Sequence, residues 1–244
     1  MYEKAKFLPA GDKSLIIEFG DSIKPEINKK IRDMYIAIEK SNLEGIQEMI
    51  PTYRSLLLSY NPLKLKYSEL CGKLREYEEN LGESDSEPAK VVKIPTIYGG
   101  EYGPDLEFVS SHCNLSVEEV ISIHSSQNYL IYMLGFTPGF PYLGGMSDKL
   151  ETPRLKTPRT KIPGGSVGIA GKQTGIYPID SPGGWQLIGI TPVKLYDPFA
   201  EPPVLLNAGD YVRFVPIDEK EYKSILKQVE EKKYKVDIAL LDKE

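Results

Sequence analysis

The chain has 244 residues, 41% hydrophobic and 27% charged, with 30 Lys and Arg against 35 Asp and Glu for a formal charge of −5. That composition suits a soluble globular protein of one large or two small domains, and its acidity excludes nucleic acid as the default partner. No apolar run reaches the roughly 18–20 residues of a membrane span and the opening MYEKAKF has no signal-peptide apolar region, so no membrane partner and a cytoplasmic location are the expectations.

The first part of the chain reads as α/β. KFLP and SLIIEFG form two short strands around the turn at Ala10-Gly11-Asp12. Pro25 opens a helix to about Leu43, with Ile27, Ile31, Met34, Ile36 and Ile38 as its apolar face, and Gly45 ends it. IQEMI and YRSLLLSY follow as strands. A second helix runs from about Leu65 to Leu81 and carries Leu70, Leu74 and Tyr77 on one side. Gly82 to Ala89 (GESDSEPA) is polar and rich in breakers, which marks a linker. AKVVKIPTIY then reads as a strand and Pro104 to about Cys113 as a short helix. Ser116 and Glu119 form a capping box that opens a helix to about His124. Beyond it come NYLIYMLGF, SVGIAG, TGIYPI, GWQLIGI, VKLYD and DYVRFVPI as strands between Gly/Pro turns, then a charged helix from Glu219 to about Tyr234. Many short strands with few helices predict a closed or nearly closed β-barrel. The fold class expected is α+β: a small N-terminal α/β sandwich domain (β-β-α-β-β-α) over residues 1–88, followed by a β-barrel domain over 89–244. Limited proteolysis is expected to cut first between Gly82 and Ala89 and release a stable fragment beginning near Lys90. A first cut inside Ile94 to Tyr98 would count against this boundary.

Gly and Pro are densest between Tyr132 and Pro198, where they punctuate aromatics, hydroxyls and cations. Rigid turns of that kind build preformed surfaces from loops. Gly164-Gly165-Ser166-Val167-Gly168 matches G-x-S-x-G, but Pro-rich loop precedes it and both histidines lie earlier in the chain, which is wrong for an α/β hydrolase. Gly171-Lys172 resembles the end of a phosphate loop, yet Ser166 and Gln173 stand where its first Gly and its Ser/Thr belong. Cys71 and Cys113 form no C-x-x-C, and His112, Cys113 and His124 fit no standard zinc spacing, so no metal is expected. Lys149, Arg154, Lys156, Arg159 and Lys161 make a basic cluster that reads either as a site for a carboxylate, a phosphate or an acidic partner surface or as a solvated loop. Arg159, beside Pro158 and the Gly-rich turn, has the best fixed fork for an anion. His124 at a helix end suits a general base as well as a structural role. Trp185, the single Trp, either fills the barrel core or walls a pocket, and Phe136, Phe140 and Tyr142, interleaved with Gly and Pro, give no simple core stripe, so at least one of them is expected to face a groove.

The phrases GFTPGFPYLGG, TPRTKIPGGSVGIAGKQTGIYP and SPGGWQLIG-TP, with PAGDKSLIIEFGD and PTYRSLLLSYNP before them, resemble the family of 5-oxoprolinase B subunits, also known as the allophanate hydrolase subunit 1 or sporulation-kinase inhibitor family. The resemblance covers nearly the whole chain. It implies a cyclophilin-like barrel behind the N-terminal α/β domain. It implies a non-autonomous subunit of a complex that converts 5-oxo-L-proline to L-glutamate using ATP, working with an allophanate hydrolase subunit 2-type protein (the 5-oxoprolinase C subunit) and with the 5-oxoprolinase A subunit. The alternative it implies is a binding module that inhibits a sporulation sensor histidine kinase. For the enzyme, His124, Arg159, Ser166 and Gln173 are the candidate catalytic residues, and the amides of Gly164 to Gly168 are candidate anion donors. For a substrate or partner groove, the candidates are Phe136, Phe140, Gly164, Gly165, Tyr177 and Trp185. Two positions depart from the usual family phrases: Gly164 replaces an Ala, and Ile190 replaces an Arg that would be a second cation.

Overall fold

A computed structural model describes residues 1–81 and 88–241. The chain divides into two compact units, Met1–Glu87 and Pro88–Glu244. The linker expected at Gly82 to Ala89 lies mostly outside the described residues.

The first unit contains β1 (Lys6–Pro9), β2 (Ser14–Glu18), α1 (Pro25–Ser41), β3 (Ile46–Pro51), β4 (Ser55–Tyr60) and α2 (Tyr67–Glu79). This is the expected β-β-α-β-β-α order. The strands form one antiparallel sheet in the order β1-β2-β4-β3. Alternation buries Leu15, Ile17, Leu56 and Leu58 on one face, where Ile27, Ile31, Met34 and Ile38 of α1 and Leu70 and Leu74 of α2 meet them. Helix α1 starts with Pro25 at its first position and ends at Asn42, which adopts a left-handed conformation.

The second unit contains β5 (Lys90–Tyr98), α3 (Leu106–Cys113), α4 (Val117–Ser125), β6 (Tyr129–Leu134), β7 (Pro141–Gly144), β8 (Arg159–Ile162), β9 (Ser166–Ala170), β10 (Gln173–Ile176), β11 (Ser181–Gly183), β12 (Gln186–Ile190), β13 (Tyr211–Pro216), α5 (Glu219–Glu230) and β14 (Ile238–Leu240). Its main sheet runs β10-β9-β12-β5-β13-β6-β7, with β14 also paired to β5, and β7 returns against β10. The sheet is thus barrel-like and nearly closed, which fits the cyclophilin-like expectation. Strands β8 and β11 form a separate antiparallel ribbon. The core is filled by Ile94, Tyr129, Ile131, Val167, Ile169, Ile188 and Phe214, with Val109 of α3 and Val120 of α4 packed on it. The capping box forms as expected: Glu119 N–H donates to Ser116 Oγ, and Ser116 N–H donates to a Glu119 carboxylate oxygen.

Two expectations fail locally. VKLYD is not a strand: Val193–Asp197 is bends and irregular backbone, with Tyr196 making an isolated bridge to Val204. The last helix ends at Glu230 rather than Tyr234, and Lys232 takes a positive φ just beyond it. Among the described residues no helix is long and apolar enough to cross a membrane.

Candidate functional site

The aromatic residues singled out in the sequence come together on one face of the second unit. Phe140 sits at the centre, edge-to-face with Phe136 (5.7 Å), Tyr142 (5.4 Å), Tyr177 (5.8 Å) and Trp185 (5.9 Å). Phe140 and Tyr177 are buried, Trp185 is half-buried, and Phe136 is 70% exposed. Gly175 is needed here for space: a Cβ would lie 3.0 Å from the Trp185 ring. Phe136 has φ 63°, a conformation costly for a bulky residue, so the turn between β6 and β7 holds an aromatic outward under strain.

Arg159 is not on a solvated loop. It begins β8, and its guanidinium donates to Asp105 Oδ1 at 2.8 Å and to the Trp185 carbonyl at 3.3 Å. The other Asp105 oxygen accepts from Leu187 N–H at 2.6 Å, and Asp105 N–H donates to the Leu187 carbonyl. Asp105 sits at the start of α3 but does not cap it; its carboxylate is turned to β8 and β12 instead. The side chains are 30% and 13% exposed, so this is a partly desolvated pair joining three elements.

His124 is fully buried near the end of α4. Tyr98 Oη lies 2.8 Å from its Nδ1, and Thr174 Oγ1 lies 2.8 Å from its Nε2. Thr174 Oγ1 also donates to the Gly168 carbonyl, so it must accept from the histidine. The proton therefore sits on Nε2, and Nδ1 accepts from Tyr98. Burial lowers the imidazole from 6.5 to about 3 and raises Tyr98 well above its usual range, so both stay neutral. The Phe214 ring packs 4.3 Å from the imidazole, and Tyr129 Oη donates to the His124 carbonyl. This chain of hydrogen bonds ties α4 and β5 to β10. It leaves neither ring nitrogen available to a substrate.

The Gly-rich turn is likewise engaged internally. Gly164 N–H donates to Asp180 Oδ1, Gly165 N–H to the Tyr177 carbonyl and Ser166 N–H to the Pro163 carbonyl. Of the row of donor amides expected at Gly164 to Gly168, the first three are therefore already taken within the chain. Gly165 is required by its φ of 87° and by the Thr191 carbonyl, which a Cβ would strike. Ser166 is buried at the start of β9, while half-buried Gln173 pairs with Ala170 at the other end of that strand, so the structure does not bring Ser166 and Gln173 together. Gly164 and Gly165 instead line a cleft of about 670 Å³ with Thr191, Lys194, Phe199 and Tyr222, apart from the aromatic face. Ile190 lies in β12 opposite Ser166 and Ile97. Asp105 was missed in the sequence; an Asp opening a helix without a capping role is noticeable only once its partners are placed. Among the described residues no cluster of His, Cys, Asp and Glu could hold a metal ion.

Comparison with known proteins places this geometry among relatives. A family profile described as "Carboxyltransferase domain, subdomain C and D" matches residues 5–206. The chain is 48% identical to the 5-oxoprolinase B subunit of Bacillus subtilis (strain 168), over 87% of this chain and 92% of that protein. It is 39% identical to the 5-oxoprolinase B subunit of Escherichia coli O157:H7, over 89% of this chain and 98% of that protein. A solved structure of a conserved uncharacterized protein from Pyrococcus horikoshii is 50% identical and covers 89% of this chain and 100% of its own, with a TM-score of 0.53.

Proposed function

Because the chain belongs to the family of 5-oxoprolinase B subunits, we propose that it is one component of an ATP-dependent 5-oxoprolinase that opens the lactam of 5-oxo-L-proline to give L-glutamate. The single observation that carries this is the 48% identity to a 5-oxoprolinase B subunit over nearly its full length. A lactam carbonyl is poorly electrophilic, and phosphorylation of its oxygen opens the ring carbon to water; ATP serves the complex in that role. No residue of this chain is assigned to the nucleotide. In this proposal residues 1–88 form the α/β domain and 89–244 the cyclophilin-like barrel, the partners are the A and C subunits, and the assembly is cytoplasmic. Inhibition of a histidine kinase is not favoured, because relatives 39–48% identical over most of this chain are named for the oxoprolinase.

The internal engagement of His124, Arg159 and the Gly164 to Ser166 amides supports a non-autonomous role. The purified chain is accordingly expected to show no ATP-dependent ring opening. Co-expression with the A and C subunits should yield a complex with 5-oxo-L-proline-dependent ATP hydrolysis. Substantial turnover by the chain alone would overturn the non-autonomous reading, and an assembled complex without that activity would overturn the oxoprolinase reading.

A further inference from the structure

The strongest arrangement outside the candidates above is a strap across the aromatic face. Thr152 pairs with Gly171, the Pro153 carbonyl accepts from the buried Gln186 amide at 2.9 Å, and Leu155 N–H donates to the Gly184 carbonyl at 2.7 Å. These bonds bracket Arg154 and fix its backbone beside Tyr177 and Trp185. Two other cations of the basic cluster are committed, Arg159 to Asp105 and Lys161 to Asp180. Arg154 is exposed and has no carboxylate partner among the described residues. Burial raises the Tyr177 hydroxyl, while Arg154, a Trp185 backbone hydrogen bond and Arg159 draw it down. The outward, strained Phe136 gives the same face an exposed apolar wall.

A planar guanidinium on a pinned backbone beside aromatic faces suits a small flat molecule that carries a carboxylate. We propose that Arg154 binds the carboxylate of 5-oxo-L-proline, with the lactam ring resting against Phe136 and Trp185; this rests on the oxoprolinase reading above. The fork of Arg154 makes two parallel bonds to the carboxylate, and the strap leaves little backbone entropy to lose on binding. Arg154 acts in binding only; no proton or phosphoryl transfer is assigned to it.

The test uses the reconstituted complex with Arg154→Gln. Loss of a charge-assisted contact should raise KM for 5-oxo-L-proline by about 10–100-fold, with kcat within about threefold and melting temperature and assembly unchanged. Arg154→Lys should recover part of the affinity, since a point charge remains without the fork. Inhibition by 2-pyrrolidinone, the same lactam without the carboxylate, should be equal in the wild-type and Arg154→Gln complexes. An unchanged KM in Arg154→Gln, an equal loss of 2-pyrrolidinone inhibition, or failure of the folded variant to assemble would each overturn the assignment while leaving the oxoprolinase reading intact. A wild-type complex that assembles but ignores 5-oxo-L-proline would overturn that reading, and this assignment with it.

Discussion

His124→Ala is expected to lower the melting temperature of the purified chain by on the order of 10 °C. Truncating a buried ring costs roughly 3–5 kcal/mol through the cavity it leaves, and here Tyr98 also loses the acceptor for its hydroxyl. A pH dependence accompanies the loss. The imidazole titrates near 6.5 when exposed and near 3 in the folded protein. Above pH 6.5 neither state holds the proton. Between the two values the unfolded chain takes it up and the folded chain does not, so stability falls by about 1.4 kcal/mol per pH unit of acidification. At pH 4.5 the histidine alone accounts for a loss of about 3 kcal/mol relative to neutral pH. His124→Leu has no imidazole to protonate, so its unfolding free energy should fall by one proton less over this range. Denaturant unfolding of both chains at pH 7, 5.5 and 4.5 measures the difference. Parallel pH profiles for wild type and His124→Leu would show that the buried chain of Tyr98, His124 and Thr174 does not govern acid stability.

Arg159→Ala is expected to destabilise the chain by about 1.5–3 kcal/mol, because it strands the Asp105 carboxylate where only Leu187 N–H still answers it. Asp105→Asn combined with Arg159→Ala should cost less than the sum of the single changes by at least ~1 kcal/mol, since the amide oxygen still accepts from Leu187 and no charge is orphaned. Chemical denaturation of the four proteins gives this coupling directly, and additive losses would remove Arg159 from the strut. Kinetics of the same variant in the complex separate two roles. A strut leaves KM for 5-oxo-L-proline near the wild-type value and lowers activity with the folded fraction. An anion contact lowers activity about 10–100-fold while the melting temperature holds.

Local signals were the legible ones. The apolar spacing of Ile27, Ile31, Met34 and Ile38 and the Ser116/Glu119 box specify their helices within a few residues, because each rests on contacts one helical turn apart. The grouping of Phe136, Phe140, Tyr177 and Trp185 was also within reach, since Gly and Pro between aromatics break any simple core stripe. What escaped depends on distance along the chain. Arg159 finds Asp105 54 positions earlier, and His124 finds Thr174 50 positions later. Nothing near either residue announces its partner. Glycine amides that look free in sequence are taken by the Tyr177 carbonyl and Asp180. The ribbon strands β8 and β11 are three or four residues long and bounded by Pro and Gly, too short for alternation to register. VKLYD has the pattern of a strand, but Pro192 and Pro198 bracket it and Val193 N–H is turned to the Thr191 hydroxyl, so no ladder forms around Tyr196 beyond one bridge.

Strand β5, the first of its unit, lies parallel to β13, which comes near the end of the chain, from Val91–Tyr211 to Thr96–Pro216. Lys90 N–H is held by the Asp210 carboxylate across 120 positions. During synthesis β5 therefore emerges early and waits without its principal neighbour until Pro216 has left the ribosome, with Val92 and Ile94 uncovered meanwhile. Loop-closure entropy must be met before that pairing returns any stability, so this joint belongs to the slow, late part of folding. A nascent chain that stalls before Tyr211 presents an unpaired apolar edge, and its hazard at that stage is aggregation rather than local fraying.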